Sequence, residues 1–262
     1  MDDSEVVVVT GAGSGLGAEI ARELRSRSPA SLVIADLDTA SAVAVAAEVG
    51  GLAVTADVST EAGVRDVVNA TTEHHGRVDL WIANAGTGLP CDPFSDDDVF
   101  DLMWRLHALS IVWAARHLVP EWLNRASGHL VAVVSSNALT SNPVSMGYAM
   151  TKHAQLAALE WVAMTYGDRG VRTTAFCPKG MRTPLLEAHA ATNAYARAAL
   201  SDAVTPRQAA TTLLDAIERG ATIAHTHPAV LADARRRIDD HQAFIDSLQQ
   251  LHRLVPEVGT PR

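Results

Sequence analysis

The chain has 262 residues, 48% of them apolar, and 30 acidic against 21 basic side chains give a formal charge of −9 with a pI near 5.6. That supplies the core of one large domain spanning 1–262, and so acidic a balance argues against nucleic acid or an anionic membrane as the main partner. No apolar run approaches the roughly eighteen residues of a membrane span. The acidic start Met1-Asp2-Asp3-Ser4-Glu5 lacks the basic opening of a signal peptide, and Cys91 and Cys177 read as free thiols. A cytoplasmic protein is the expectation.

Val6-Val7-Val8-Val9 is a β-branched run suited to a strand buried on both faces. It leads at once into Thr10-Gly11-Ala12-Gly13-Ser14-Gly15-Leu16-Gly17 and then a helical pattern through Ile20, Ala21 and Leu24. In that context the glycines let a pyrophosphate approach the backbone while free N–H groups at the helix start face the anion. The next apolar run, Leu32 to Ala35, ends in Asp36, nineteen residues after Gly17. A carboxylate at the tip of a second strand can accept from both ribose hydroxyls of an adenosine and repels a 2′-phosphate, which points to NAD over NADP. Neither Ser14 nor Leu37 supplies a cation to reverse that preference, and the plainer reading of Asp36 is a turn or helix-start residue.

Thr39 to Val49 reads as an Ala-rich helix, Leu52 to Ala56 as a third strand closing on Asp57-Val58, and the stretch to about His75 as a helix capped by Ser59 or Thr60. Val78 to Ala83 makes a fourth strand ending in Asn84-Ala85-Gly86. Phe100 to Leu123 has the apolar spacing of one long helix, and Gly128 to Val134 is a fifth strand ending in Ser135-Ser136. The polar loop 137–147 is suited to lining a substrate pocket. From Tyr148 a helix runs to Tyr166, Val171 to Phe176 is a sixth strand, and Pro206 to Arg219 is a helix with Pro at its start. Thr222 to His225 is a last short strand, and Val230 to Leu251 reads as one amphipathic helix. This alternation makes a doubly wound parallel sheet that binds ligands at the carboxyl ends of its strands.

Tyr148 and Lys152 are four apart, so on a helix they share a face. A phenol of pKa about 10 is a poor base at neutral pH, and an ammonium about 5 Å away at an effective dielectric of about 20 supplies on the order of 3 kcal/mol toward the phenolate. By itself the pair is also an ordinary helix face with one aromatic and one lysine.

Thr10-Gly11-x-x-x-Gly15-x-Gly17, Asp57, Asn84-Ala85-Gly86, Ser135 and Tyr148-x-x-x-Lys152 together resemble the short-chain dehydrogenase/reductase family in order and spacing, over roughly residues 5 to 226. The resemblance implies an α/β fold: a single Rossmann-type domain, a doubly wound parallel sheet flanked by helices. It implies hydride transfer between a nicotinamide cofactor and a secondary alcohol or ketone, by a homodimer or homotetramer. Tyr148 would exchange the hydroxyl proton, Lys152 would tune it and hold the nicotinamide ribose, and Ser135 would bond the substrate oxygen, with Ser136 the adjacent alternative. The cofactor contacts implied are Gly11, Ser14, Gly15, Leu16, Gly17, Asp36, Asp57, Val58, Asn84, Ala85, Gly86, Tyr148 and Lys152, with Met181 and Thr183 at the carboxamide.

Two positions depart from the family pattern. His107, thirteen before Pro120, stands where the family commonly has an asparagine that completes the catalytic set through an ordered water. A histidine could hold that water, titrate near neutrality beside Tyr148 and Lys152, or simply pack. Lys179 replaces a glycine and could reach solvent or a substrate anion. Residues 182–205 fall where the family has a mobile lid, with His189, Asn193, Tyr195 and Arg197 as candidate pocket residues. Trp161 suits an oligomer core at least as well as any chemical role. His225 and His227 lack a third ligand, so no metal site is expected. Two readings compete with an NAD-dependent dehydrogenase: an NADPH-linked reductase of an apolar ketone, and a non-catalytic NAD sensor or scaffold in which His107 and Lys179 mark a decayed site.

Overall fold

The computed structural model describes residues 4–183, 186–187, 190 and 194–253. Its sheet is seven-stranded and parallel throughout, in the order β3-β2-β1-β4-β5-β6-β7. The strands are β1 (Val6–Thr10), β2 (Ser31–Asp36), β3 (Leu52–Thr55), β4 (Leu80–Ala83), β5 (Gly128–Val133), β6 (Val171–Cys177) and β7 (Ile223–His225). The order reverses between β1 and β4, the switch point at which such sheets bind ligands.

Successive side chains of a strand point to opposite faces, so the valines of β1 feed two cores. Val7 and Val9 pack with Ile20 and Leu24 of α1 (Gly15–Arg27) and with Leu213 and Leu214 further along the chain. Val8 packs on the other face with Trp81, Ile111, Trp122 and Leu159. Burial on both faces is why β1 carries no polar alternation. Helices α2 (Thr39–Val49) and α3 (Glu61–His75) follow the expected bounds, capped by Asp38 and Thr60.

Two expected helices are corrected. In place of one helix from Phe100 to Leu123, α4 (Asp97–Met103) passes through a π-helical turn, Trp104–Leu109, into α5 (Ser110–Arg125). A π turn accommodates an extra residue and re-aims the side chains on it, and His107 is one of these. The stretch Val230 to Leu251 is two helices, Ala229–Asp239 and His241–His252. The chain between them breaks at Asp240 (φ −143°, ψ 80°), whose carboxylate accepts from the Ala243 N–H at 3.0 Å and caps the second helix.

The remaining helices are α6 (Met146–Tyr166), α7 (Ala194–Ser201), α8 (Pro206–Glu218), α9 (Ala229–Asp239) and α10 (His241–His252). Among the described residues no helix is long and apolar enough to cross a membrane. Trp161 and Met164 of α6 are 53% and 77% exposed in the single chain.

Candidate active site

The turn from β1 into α1 brings Gly11 to Gly17 to the carboxyl edge of the sheet. Gly11 has φ +60°, and a Cβ there would lie 2.7 Å from Ala85 Cα. A Cβ at Gly17 would lie 2.2 Å from the Gly11 carbonyl oxygen, so neither position accepts a side chain. Ser14 is the exposed N-cap of α1, makes no side-chain cap bond, and is followed by no acidic residue in the first turn. The first N–H groups of α1 therefore face outward with a hydroxyl beside them, and this arrangement fits the pyrophosphate of a dinucleotide.

Asp36 ends β2 beside this loop. One carboxylate oxygen accepts from the Gly13 N–H at 2.8 Å and the other from the Asp38 N–H at 3.0 Å, which fixes the carboxylate against the glycine loop. Asp57 accepts from the Ser59 N–H at 2.9 Å, and Val58 is buried. Asn84 spends its amide hydrogens on the carbonyls of Thr10 and Gly11, both at 3.0 Å. Thr10 Oγ1 returns the link by accepting from the N–H groups of Asn84 and Ala85 at 3.1 and 3.2 Å. Asn84 thus joins the loop after β4 to the loop after β1.

A cleft of about 1070 Å³ opens beyond that seam, and its wall includes Leu16, Asn84, Gly86, His107, Ser135, Tyr148, Lys152, Met181 and Thr183. Ser135 is buried at the end of β5, where its hydroxyl accepts from the Asn137 N–H at 3.1 Å and keeps its proton to donate. Tyr148 sits half-buried in the first turn of α6, which Ser145 caps through the Tyr148 N–H. Lys152 lies one turn on, buried, with Nζ 5.7 Å from the Tyr148 ring centroid. Nζ donates to the Val133 carbonyl at 3.0 Å and to Gln155 Oε1 at 2.9 Å, leaving one of its three N–H bonds for a further acceptor. Burial pushes the Lys152 ammonium down to about 7, and it pushes the neighbouring Cys177 thiol up to about 11.

His107 corrects one expectation. It is fully buried and edge-on to Tyr148, with ring centroids 5.6 Å apart. Burial, reinforced by Lys152, pushes its imidazole down to about 2, against the expectation of a group that titrates near neutrality. Both ring nitrogens are engaged by the protein: Nε2 with the Thr87 N–H at 3.1 Å and Nδ1 with Thr151 Oγ1 at 2.9 Å.

Lys179 pairs with Asp202, just beyond α7, at 2.8 Å, and its backbone N–H donates to Thr226 at 3.0 Å. Of the candidate lid residues, His189 and Asn193 lie outside the described residues, as does the Tyr195 side chain. Arg197 is exposed and donates to the Ala190 carbonyl at 3.1 Å. Among the described residues no cluster of three metal-ligating side chains occurs.

Sequence reasoning passed over Thr87, Thr151, Gln155 and the wall made by Phe244 and Leu248 of α10. Gln155 had a usable signal, since it stands three after Lys152 on the same helix.

The profile of the short chain dehydrogenase family matches residues 5–194. The chain belongs to the short-chain dehydrogenase family. Among curated relatives, this short-chain dehydrogenase is 32% identical over 192 residues to the 4-formylbenzenesulfonate dehydrogenase of Comamonas testosteroni, covering 70% of this chain and 75% of that one. It is 30% identical over 189 residues to the oxidoreductase YxjF of Bacillus subtilis, covering 70% and 73%. Among solved structures, a short chain dehydrogenase/reductase from Burkholderia phymatum in complex with NAD superposes with a TM-score of 0.80 at 24% identity, over 98% of both chains. The 3-ketoacyl-(acyl-carrier-protein) reductase of Brucella melitensis complexed with NADH gives 0.75 at 27% identity, over 84% of this chain and 94% of that one. The helices α9 and α10 lie beyond the stretch that the family profile matches.

Proposed function

We propose that this short-chain dehydrogenase interconverts a secondary alcohol and a ketone, with NAD preferred over NADP. The observation that carries the reading is the shared wall of one cleft on which Ser135, Tyr148 and Lys152 stand, with the lysine Nζ 5.7 Å from the tyrosine ring. A bound nicotinamide would supply the acceptor for the hydride of the alcohol carbon. Tyr148 takes the hydroxyl proton and returns it in the reverse direction. Lys152 stabilises the phenolate by its charge and offers its remaining N–H to the nicotinamide ribose. Ser135 donates to the substrate oxygen as charge develops there.

The glycine loop with Ser14 would hold the pyrophosphate, Asp36 the adenosine ribose, and Met181 and Thr183 the carboxamide side. The Asp36 charge at the tip of β2, with the exposed Leu37 next to it, supports NAD. Leu89, Val144, Phe244 and Leu248 supply apolar wall to the cleft beside the polar Asn142, Asp233 and Arg236, and that apolar share supports an apolar alcohol over a sugar. The exposed Trp161 and Met164 on α6 support assembly of identical copies through that helix.

The test is a panel of apolar secondary alcohols and ketones assayed with all four nicotinamide cofactors. Turnover with NAD or NADH, lost in Tyr148→Phe, is the expected result. Tenfold preference for NADPH would move the reading to an NADPH-linked ketone reductase, and full turnover by Tyr148→Phe would remove the mechanism.

A further inference from the structure

We propose that His107 is a positioning residue, a strut fixed in the Nδ1–H tautomer that braces the first turn of α6 against the loop after β4, and not a relay for the proton that Tyr148 exchanges. The inference rests on the proposed role of Tyr148. The direction of each hydrogen bond decides the tautomer. A backbone N–H can only donate, so Thr87 makes Nε2 of His107 the acceptor at 3.1 Å. The ring proton therefore sits on Nδ1 and is donated to Thr151 Oγ1 at 2.9 Å. The Thr151 hydroxyl in turn donates to the Tyr148 carbonyl at 3.1 Å.

The result is one directed chain, Thr87 N–H to His107 to Thr151 to Tyr148. It crosses from the segment after Asn84-Ala85-Gly86 to the residue whose hydroxyl moves the proton. Relay by an imidazole needs one nitrogen to receive a proton while the other releases it. At His107 the receiving nitrogen already holds the Thr87 N–H, and the ring is fully buried. The charged group facing it is Lys152 of α6, and Tyr148 of the same helix stands edge-on at 5.6 Å, so protonation would place a cation beside an ammonium. The π turn Trp104–Leu109 carries this ring, and a Cβ on Gly86 would come within 3.3 Å of its Nε2.

Nitrogen-15 NMR of histidine-labelled full-length protein, from about pH 5 to about pH 9, tests the tautomer without any substrate. One histidine, identified by its loss in His107→Asn, is expected to show Nδ1 protonated and Nε2 bare across the whole range. A His107 signal that titrates in that range, or that carries its proton on Nε2, overturns the proposal. Kinetics read the strut separately. Thr151→Val keeps the shape but loses the hydroxyl, and is expected to lower kcat on the order of tenfold with the pH inflections and the KM for NAD unmoved, because a misplaced acid–base group costs rate. Thr151→Ser restores it. Thr151→Val with unchanged kcat also overturns the proposal. If no alcohol or ketone is turned over at all, the proposed function fails while the NMR result still decides the state of His107.

Discussion

Gln155 accepts a hydrogen bond from the Lys152 ammonium at 2.9 Å, one turn further along α6, and both side chains are buried. An ammonium out of water keeps its proton only through such partners, and burial already holds Lys152 down to about 7. Gln155→Leu removes one of two protein acceptors. The ionisation of Lys152 seen in the pH–rate profile is expected to move to lower pH, with kcat at neutral pH reduced several-fold. An unmoved profile would show that the Val133 carbonyl suffices.

Tyr148→Phe deletes one oxygen from a half-buried ring and leaves the Ser145 cap and the edge-on contact with His107 in place. The fold and NADH affinity are expected to persist while kcat falls by about a hundredfold or more. Fluorescence titration with NADH beside a turnover assay separates the two effects.

Asp36 presents its carboxylate at the end of β2 and also orders the glycine loop through Gly13. Asp36→Asn keeps the size of the side chain but removes the charge that would repel a 2′-phosphate, and its amide NH2 replaces one of the two oxygens that accept from the Gly13 and Asp38 N–H groups. Calorimetric titration is expected to show NADH weakened by about tenfold or more and the gap between NADH and NADPH narrowed, in line with about 1.5–3 kcal/mol for a hydrogen bond to a charged group. A gap that stays as wide would place the discrimination elsewhere.

Acid stability should report two buried imidazoles. Burial holds His107 down to about 2 and His129 down to about 3, against an ordinary value of 6.5. Below 6.5 the unfolded chain binds protons that the folded chain refuses, so the contribution of these two imidazoles to stability is fully present above that pH and falls as the pH drops toward 3. Each group adds a slope of up to about 1.4 kcal/mol per pH unit. Urea midpoints measured from neutral to acid pH should show the decline, and His129→Asn should lessen it. Lys152 has the same sign in another window, its burial cost easing between about 7 and its ordinary 10.5.

The helix pair α9 and α10 supplies Val230, Phe244 and Leu248 to the cleft. It is tied down by Arg237 Nη1, which donates to His153 Nε2 at 2.7 Å and to the Leu139 carbonyl at 3.3 Å, and by His252, which donates to the Pro143 carbonyl at 2.7 Å. Leu248→Trp narrows the cleft at the wall that α10 supplies and leaves Ser135, Tyr148 and Lys152 unsubstituted. Its kcat/KM should drop for bulky apolar alcohols by tenfold or more and stay near wild type for the smallest ones, since lost pocket space costs about 1–3 kcal/mol per displaced group.

The sequence by itself determined the alternating parallel architecture, the glycine loop at the start of α1, Asp36 at the tip of β2, and Tyr148 and Lys152 on one helix face. These rest on short-range rules: a strand repeats every two residues, a helix brings i and i+4 together, and a glycine loop between strand and helix has few other uses. The tertiary structure alone decided what His107 bonds to, because its two partners are 20 and 44 residues away in the chain. It also decided that Asn84 spends its amide hydrogens across 74 and 73 residues on the loop after β1. The π turn and the break at Asp240 escaped for a related reason, since apolar periodicity continues through both while the hydrogen bonds that change there leave no mark on composition. The wall made by α9 and α10 depends on bonds spanning 98 and 109 residues, and no local pattern encodes which distant carbonyl an arginine or histidine will find.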